Sequence, residues 1–384
     1  MPAAKKILIT TLEPSGDLHA SRLIKELKSL SPDIKIFGVG GENMKQAGAE
    51  IIMDTSKKGV VGLVETLSFL PSLLLAAQHI KKFMDQEKPD LLLCVDSQGF
   101  NVPLAAAAKK RGIKTIYYIA PQEWLWGTEK GVKKVVSVVD LIIAIFKKEA
   151  AAYKNAGGNV FYQGHPLLDI VKPSQNKEET CNKLGLNPKA PLVALCFGNR
   201  KQEIKNLTPL MLRTAKLIKN KLPDCQFVAP LFNHAFEKTL HQQIDALLPE
   251  VLLVSGNNYN ILNAAGAVLS TPGTVTLECA ILETPVVATY KLNPLTYFIG
   301  KNILRFNLPY VTMPSLLVGH LVVPEYIQKA ATPENLAEEI VNILMLPSRR
   351  DILIEKLKEV KKELGSPGAV KKAAEVILTP SPIT

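Results

Sequence analysis

The sequence predicts an α/β protein with two doubly wound domains that face a cleft, each built on a parallel sheet. Short runs that are apolar throughout alternate with helix-like stretches along nearly the whole chain, which is typical of parallel sheets covered by helices on both faces. A polar stretch at residues 172–180 separates two such series, and 384 residues are enough for two cores. In such sheets ligands bind beyond the carboxyl ends of the strands.

Apolar runs and helical periodicity define the predicted elements. The predicted strands are residues 6–11, 34–40, 90–95, 114–119, 140–146, 191–197, 226–230, 251–254, 267–270 and 285–289. The predicted helices are residues 16–30, 103–111, 129–137, 207–221, 234–247, 259–265, 275–282, 333–346, 351–364 and 369–378. We therefore place the first domain at 1–170, the second at 171–347, and additional C-terminal helices at 348–384.

Charge and composition restrict the classes of partner. The net charge of +11 indicates an anionic partner: nucleic acid, a membrane surface or a phosphorylated substrate. No nucleic-acid-binding motif occurs and aromatic residues are only 6%, which argues against nucleic acid. The five cysteines are scattered, as expected for reduced core residues of a cytoplasmic protein, and the six histidines show no metal-ligand spacing. We expect no metal site.

Residues 60–77 form an unusually apolar segment. Glu65 and Pro71 interrupt it, so we do not expect it to span a bilayer. Two interpretations remain open. The segment is either a buried helix pair broken at Pro71, or an exposed apolar lip, including Leu67 and Phe69, that accepts acyl chains at a membrane interface.

Polar residues follow two strands of the first series, where a ligand is expected. Ser15 or Asp17 would cap the helix after the first strand, whereas Glu13 is not needed for a cap. Asp96 leaves a buried strand just ahead of a glycine turn. It is either a turn residue or a general base whose pKa burial would raise.

Two tryptophans, Trp124 and Trp126, follow the strand at 114–119. They are either core residues or the rim of a sugar or lipid site, because an indole combines a large apolar face with one polar N–H group.

The second series carries two glycine loops that suit an anion. Gly198, Asn199 and Arg200 end one strand, and Gly273 with Thr274 opens a helix whose free N–H groups would suit phosphate. Glu278 lies one turn further along that helix, where a carboxylate would accept hydrogen bonds from ribose. Together these loops favour a nucleotide site, although neither a P-loop nor a G-x-G-x-x-G motif is present.

These residues also match a known family nearly end to end. The matching segments are Glu13-x-Ser15-Gly16-Asp17-Leu18-His19, Asp96-x-x-x-Phe100-Asn101, Trp124-x-Trp126, Gly164-His165-Pro166-Leu167, Gly198-x-Arg200, Gly273-Thr274-x-Thr276-Leu277-Glu278 and Val323-Pro324-Glu325 with Gln328. In their order and spacing the chain resembles the bacterial lipid-A-disaccharide synthases, inverting glycosyltransferases with two Rossmann-like domains of the GT-B architecture.

The resemblance implies a hexosyltransferase reaction: UDP-2,3-diacylglucosamine and 2,3-diacylglucosamine 1-phosphate would give the lipid A disaccharide 1-phosphate and UDP. It also implies an enzyme of lipopolysaccharide biosynthesis that needs no cofactor or metal. The enzyme would be cytoplasmic and peripherally associated with the inner membrane, and a homodimer is possible. The C-terminal helices would pack back on the first domain.

The resemblance assigns three groups of residues. Asp96 would be the catalytic base, with Glu13 as its rival. The UDP-binding residues would be Gly198, Asn199, Arg200, Gly273, Thr274, Glu278 and Gln328. The acceptor and lipid side would hold Ser15, Gly16, Asp17, Asn101, Trp124, Trp126, Leu67 and Phe69.

Five positions depart from the family pattern: Gln98, Gly127, Asn199, Pro272 and Ser315. At Gly127 and Ser315 the change removes a polar group from the expected substrate cleft. The alternatives are therefore a related transferase with another lipid acceptor, a UDP-sugar epimerase, and a non-catalytic paralogue that binds acylated sugars.

Overall fold

A computed structural model describes residues 6–55, 63–126, 128–291 and 309–379, with the backbone alone at 63–72 and 126. The described residues form two compact units. The first contains the residues up to Asp169 together with those from Leu364 onward, and the second runs from Ile170 to Glu363.

In the first unit the described residues form seven parallel strands in one sheet, in the order β3-β2-β1-β4-β5-β6-β7. The strands are β1 (Lys6–Thr10), β2 (Lys35–Gly40), β3 (Glu50–Asp54), β4 (Leu91–Val95), β5 (Lys114–Tyr118), β6 (Leu141–Ala144) and β7 (Val160–Tyr162). The helices up to the unit boundary are α1 (Pro14–Leu30), α2 (Glu42–Gln46), α3 (Leu63–Glu87), α4 (Gln98–Lys109), α5 (Glu123–Trp126), α6 (Glu129–Val138), α7 (Lys147–Asn155) and α8 (Leu167–Ile170). The central strand β4 is fully buried, which explains its unbroken apolar sequence.

In the second unit six described parallel strands pair in the order β10-β9-β8-β11-β12-β13. They are β8 (Leu192–Cys196), β9 (Gln226–Leu231), β10 (Leu252–Ser255), β11 (Ala267–Ser270), β12 (Val286–Tyr290) and β13 (Glu325–Ile327). The helices are α9 (Lys177–Lys183), α10 (Lys201–Lys221), α11 (Glu237–Leu247), α12 (Asn258–Ala264), α13 (Thr274–Leu282), α14 (Met313–Val318), α15 (Pro333–Met345) and α16 (Pro347–Glu363), with 3-10 turns at His234–Phe236 and Gln328–Ala330.

The C-terminal region is divided between the two units. Helix α16 packs on α13, α14 and α15 of the second unit, whereas the last helix, α17 (Ala369–Leu378), packs on α1 of the first. The division at residue 347 expected from the sequence is therefore wrong for α16. The periodicity of a helix shows that one face is apolar but not which sheet covers that face.

All ten predicted strands are present, and β3, β7 and β13 are additional. Each of these three strands lies at an edge of its sheet, and their residues are mostly only partly buried. An edge strand needs no continuous apolar run, so the sequence signal was weak there. Helix α4 begins at Gln98 rather than at the predicted Pro103, which lies inside it.

The apolar segment at 60–77 enters α3, which continues through Pro71 as one helix. The expected break at Pro71 is therefore wrong. Leu67 and Phe69 lie where only the backbone is described. Further along, Leu74 and Leu75 are 58% and 66% exposed, whereas Ile80 is fully buried. No helix among the described residues is long and apolar enough to cross a membrane.

Candidate active site

Each sheet has one point where the strand order reverses. In the first unit the chain passes from β1 outward through β2 and β3, then returns to β4 on the other side of β1. In the second unit the same reversal lies between β8 and β11. Ligands of doubly wound sheets bind beyond the strand ends at such switch points. The loops after β1, β4, β8 and β11 carry most of the predicted site residues, whereas Trp124 and Trp126 follow β5 and Gln328 follows β13.

In the first unit the loops after β1 and β4 are bonded to each other. The backbone N–H of Leu12 donates to the Ser97 hydroxyl at 3.0 Å. Glu13 occupies the N-cap position of α1 in extended conformation, and Ser15 is exposed as the second residue of the helix. Gly16 is buried, and a side chain there would overlap Thr11. The two rival carboxylates, Glu13 and Asp96, are therefore on adjoining loops.

Asp96 lies at the end of β4 with its carboxylate partly buried. Burial raises the pKa of Asp96, and the backbone hydrogen bond from Ser97 opposes that rise. A carboxylate with a raised pKa is a stronger base than an exposed aspartate, as general-base chemistry at neutral pH requires.

Asp17 and Asn101 have internal partners. The Asp17 carboxylate accepts hydrogen bonds from the N–H groups of Gly41 at 2.6 Å and Asn43 at 3.1 Å, so it caps α2. The expected capping of α1 by Ser15 or Asp17 is wrong, because no side chain caps that helix. Asn101 is fully buried: its amide oxygen accepts the Thr10 hydroxyl, and its amide nitrogen donates to the Asp96 carbonyl.

Trp124 is partly buried and packs against an aromatic side chain. Its ring lies 5.9 Å from that of Phe146, which in turn lies 4.9 Å from the His165 ring. Burial and nearby His19 lower the pKa of His165 to about 3, so this imidazole is neutral. The Trp124 indole N–H is buried and has no hydrogen-bond partner among the described residues. The side chain of Trp126 and all of Gly127 are outside the described residues.

Gln98, one of the positions that depart from the family pattern, lies at the first residue of α4. Its amide Nε2 donates to the Glu123 carboxylate, which links the loops after β4 and β5. The Gln98 side chain therefore makes a hydrogen bond within the first unit.

In the second unit Glu203 shapes the loop after β8. Its carboxylate accepts from the N–H groups of Asn199 at 3.0 Å and Arg200 at 3.2 Å. Gly198 has φ 98°, and a side chain there would overlap Glu203. The Arg200 side chain stays 54% exposed at 3.8 Å from Glu203, and it lies beside the Tyr290 hydroxyl. Glu203 thus holds the backbone of this loop, and the Arg200 guanidinium extends from it with about half of the side chain exposed.

Helix α13 begins at Thr274 after Gly273, which is extended and provides no side-chain cap. The space where a Gly273 side chain would stand is empty to 4 Å. The first N–H groups of a helix have no intrahelical partner, and the helix dipole favours an anion beside them. The sequence-predicted phosphate loop therefore has an open approach.

Glu278 and Gln328 each hold a buried polar atom that lacks a partner within the described parts of the chain: one carboxylate oxygen and the amide nitrogen. Glu278 is only 8% exposed, and burial raises its pKa to about 7. Buried polar groups are normally hydrogen-bonded, so these two atoms are candidates for hydrogen bonds to a ligand.

Ser315, expected to face the substrate, points inward. It is fully buried, and its hydroxyl accepts the Val322 N–H at 3.2 Å and donates to the Thr312 hydroxyl oxygen at 3.1 Å. Glu325 completes the cluster by accepting from the Thr312 hydroxyl at 2.6 Å. The serine is thus part of the local fold.

The described residues contain no cluster of three or more His, Cys, Asp or Glu side chains that could bind a metal ion. The five cysteines are unpaired and buried, as the sequence predicted.

Comparisons with known proteins relate this chain to one family. A family model described as Lipid-A-disaccharide synthetase matches residues 7–378. The lipid-A-disaccharide synthase of Syntrophus aciditrophicus (strain SB) is 39% identical over 378 residues, which are 98% of this chain and 98% of that protein.

Two solved structures are similar in fold. A UDP-GlcNAc 2-epimerase from Neisseria meningitidis bound to UDP-GlcNAc has a TM-score of 0.64 at 14% identity, covering 97% of this chain and 98% of that chain. A glycotransferase of kitacinnamycin has a TM-score of 0.60 at 16% identity, covering 98% of both chains. Identities this low establish likeness of fold alone.

Two parallel-sheet α/β units with polar loops at both switch points define a fold of the GT-B-like class. The match of family model and relative over nearly the whole length narrows the class further. The chain belongs to the lipid-A-disaccharide synthase family and is an enzyme of lipid A biosynthesis.

Proposed function

We propose that this enzyme transfers the diacylglucosamine unit of UDP-2,3-diacylglucosamine to 2,3-diacylglucosamine 1-phosphate with inversion. The proposal depends on the groups that lie at the two switch points. The partly buried carboxylate of Asp96 lies at the switch point of the first unit, and Arg200 and the open start of α13 lie at that of the second. An inverting transfer needs these two groups, a base for the acceptor hydroxyl and a site for the leaving diphosphate.

The second unit would hold UDP. Arg200 would neutralise the diphosphate, since a guanidinium forms strong charge-assisted hydrogen bonds with phosphate oxygens. Gly273 and Thr274 would bring the diphosphate to the helix N–H groups. The unpaired oxygen of Glu278 would accept a ribose hydroxyl, and the unpaired amide of Gln328 would donate to the same ligand.

The first unit would bind the acceptor and activate it. The acceptor hydroxyl oxygen attacks the anomeric carbon, its proton passes to Asp96, and the bond to UDP breaks with its electrons on the diphosphate. We propose that this needs no metal, because Arg200 and the α13 N-terminus supply positive charge, and we expect turnover to survive EDTA. Glu13, on the adjoining loop, remains the alternative base.

The test is to incubate the protein with both acylated substrates and measure UDP and disaccharide. We expect Asp96→Asn to lower kcat about 100- to 10,000-fold, the usual contribution of a general base, and Glu13→Gln to lower it less. An equal loss from both variants would leave the base unassigned, and a wild-type protein without turnover at high concentration would contradict the proposed reaction.

Arg200→Ala tests the donor site separately. We expect the UDP dissociation constant, measured by calorimetry, to rise about 10- to 100-fold, because a charge-assisted hydrogen bond is lost. Arg213→Ala is the matched control, since Arg213 is exposed on the same helix, α10. If the two variants bind UDP equally well, Arg200 has no role in binding it.

We also propose that the protein associates peripherally with the inner membrane through the exposed part of α3. Leu74 and Leu75 would enter the interface, helped by the positive net charge of the chain. Replacing both with Ser should reduce binding to vesicles that contain anionic phospholipid. The matched control replaces Met345 and Leu346, which are similarly exposed in the second unit. Equal losses from the two pairs would contradict a membrane surface on α3.

A further inference from the structure

The backbone that carries Asp96 has an unusual conformation. Asp96 has φ 50° and Ser97 has φ 53°, so two successive residues that are not glycine are left-handed. L-residues visit this region rarely, and such a conformation persists only where surrounding contacts hold it. In this fold the strained pair stands at the switch point of the first sheet, immediately after β4.

Two side chains from different elements hold the Asp96 carbonyl. The Asn101 amide of α4 donates to it at 2.8 Å, and the Tyr117 hydroxyl of β5 donates to it at 2.7 Å. Asn101 is fully buried and Tyr117 is fully buried. The carbonyl oxygen therefore has both of its lone pairs occupied by rigid donors.

Asn101 also ties this carbonyl to the neighbouring strand. Its amide approaches the Thr10 carbonyl at 3.1 Å and the Val95 carbonyl at 3.1 Å, while its own oxygen accepts the Thr10 hydroxyl at 2.7 Å. One asparagine thus joins the ends of β1 and β4, the two strands that flank the switch point.

The next residue is held as well. The Ser97 hydroxyl accepts the N–H of Leu12, and the Ser97 carbonyl accepts the N–H groups of Phe100 and Asn101 as α4 begins. With the peptide on its carboxyl side fixed in this way, the backbone of Asp96 is held and the direction of its Cα–Cβ bond is set.

We propose that Asn101 and Tyr117 are positioning residues that hold the Asp96 carboxylate in the orientation needed to accept the proton of the acceptor hydroxyl. The inference rests on the proposed role of Asp96 as base. It gives Asn101 a task different from the acceptor contact expected from the sequence, and it gives Tyr117 a task that the sequence did not suggest.

Tyr117→Phe is the most direct test, because it removes one hydroxyl and keeps the buried ring. We expect kcat to fall about 5- to 20-fold, the effect of one lost hydrogen bond on an aligned group. The donor KM and the UDP dissociation constant should stay unchanged, since UDP is assigned to the second unit. Asn101→Ala should lower kcat further, provided that the variant folds.

The decisive measurement combines Tyr117→Phe with Asp96→Asn. If Tyr117 acts through the Asp96 carboxylate, Tyr117→Phe should have no further effect on the residual rate once that carboxylate is absent. An equal fall in both backgrounds would mean that Tyr117 supports the fold only, and would overturn the inference.

Thr115→Val is the matched control. Thr115 is buried on the same strand and donates its hydroxyl to the Val138 carbonyl at 3.0 Å, at the end of β5 remote from Asp96. It should cost stability with kcat within about twofold of wild type, since no catalytic group is bonded to it. A fall equal to that of Tyr117→Phe would contradict the inference.

The outcomes separate this inference from the reaction on which it rests. Absence of disaccharide from the wild-type protein contradicts the reaction, and full activity of Asp96→Asn contradicts the base. If both stand and Tyr117→Phe retains the wild-type kcat, the positioning role alone is wrong.

Discussion

At the scale of single residues, the structure keeps a buried carboxylate that a globular protein would normally avoid. Glu278 has an oxygen without a partner among the residues that the structure describes, and burial raises its pKa to about 7, so a large fraction of the free protein holds it protonated near neutral pH. Burying a charge costs stability unless the charge is paired. A ribose hydroxyl would supply the missing donor, which is the physical reason for expecting nucleotide there.

This carboxylate makes stability depend on pH in a definite direction. Between about pH 4.5 and 7 the unfolded chain loses the Glu278 proton while the folded chain retains it, so the free energy of unfolding falls as pH rises. Glu278→Gln should remove this pH-dependent loss of stability, which is worth about 1–3 kcal/mol. The free energy of unfolding of the variant should therefore rise relative to that of wild type when the pH is changed from 5 to 8.

Urea unfolding of the ligand-free protein at both pH values measures the difference. The exposed Glu334, replaced by Gln, is the control and should change the pH dependence little. If Glu278→Gln and wild type keep the same difference in stability at both pH values, Glu278 ionises as an ordinary surface glutamate.

At the scale of elements, one aspartate supports a short helix that has little stability of its own. Helix α2 has five residues, and the Asp17 carboxylate accepts the N–H groups at its start, while a side chain at Gly41 would contact that carboxylate at 3.0 Å. Short helices depend on such tertiary contacts because helix nucleation is unfavourable. Asp17 therefore joins α1 to α2.

We expect Asp17→Ala to lower the free energy of unfolding by about 2–3 kcal/mol, because several hydrogen bonds to a charged group are lost and N–H groups are left unpaired. Chemical denaturation measures the change. Asp33→Ala, at an exposed position between α1 and β2, should stay within about 0.5 kcal/mol of wild type. An equally small change at Asp17 would show that α2 needs no cap.

At the scale of the whole molecule, the last helix, α17, belongs to the first unit although it follows the second in sequence. The His165 N–H donates to the Leu364 carbonyl at 2.8 Å, and the Asp169 carboxylate accepts the N–H groups of Gly368 and Val370 as α17 begins. Helix α17 then buries apolar residues, including Ile377, against the unit that contains α1. The two chain ends thus contribute to one core.

Asp169→Asn should weaken the attachment of α17 to the first unit. We expect the melting temperature to fall by a few degrees, because the helix loses a charged acceptor at its N-terminus, an interaction worth about 1 kcal/mol. Asp351→Asn is the control, since that residue is exposed on α16. Equal melting temperatures for the Asp169 variant and wild type would mean that apolar packing alone holds α17.

The sequence by itself determined the fold class, ten of the strands and the loops that carry the candidate site. These follow from local patterns: a strand buried on both faces must be apolar throughout, and polar residues at its end are conspicuous. Glu278, Arg200 and Asp96 were identified in this way as candidate site residues, and their roles stay predictions.

Only the tertiary structure decided which polar residues face inward. Asp17, Asn101 and Ser315 have the polarity of ligand-binding residues, yet each is occupied by backbone or side-chain partners, some of them far away in the sequence. The edge strands were hidden for the same reason, whereas the return of α17 to the first unit was expected only from the family resemblance. A hydrogen-bond partner or a covering surface is a property of distant segments brought together, and no local pattern of residues records it.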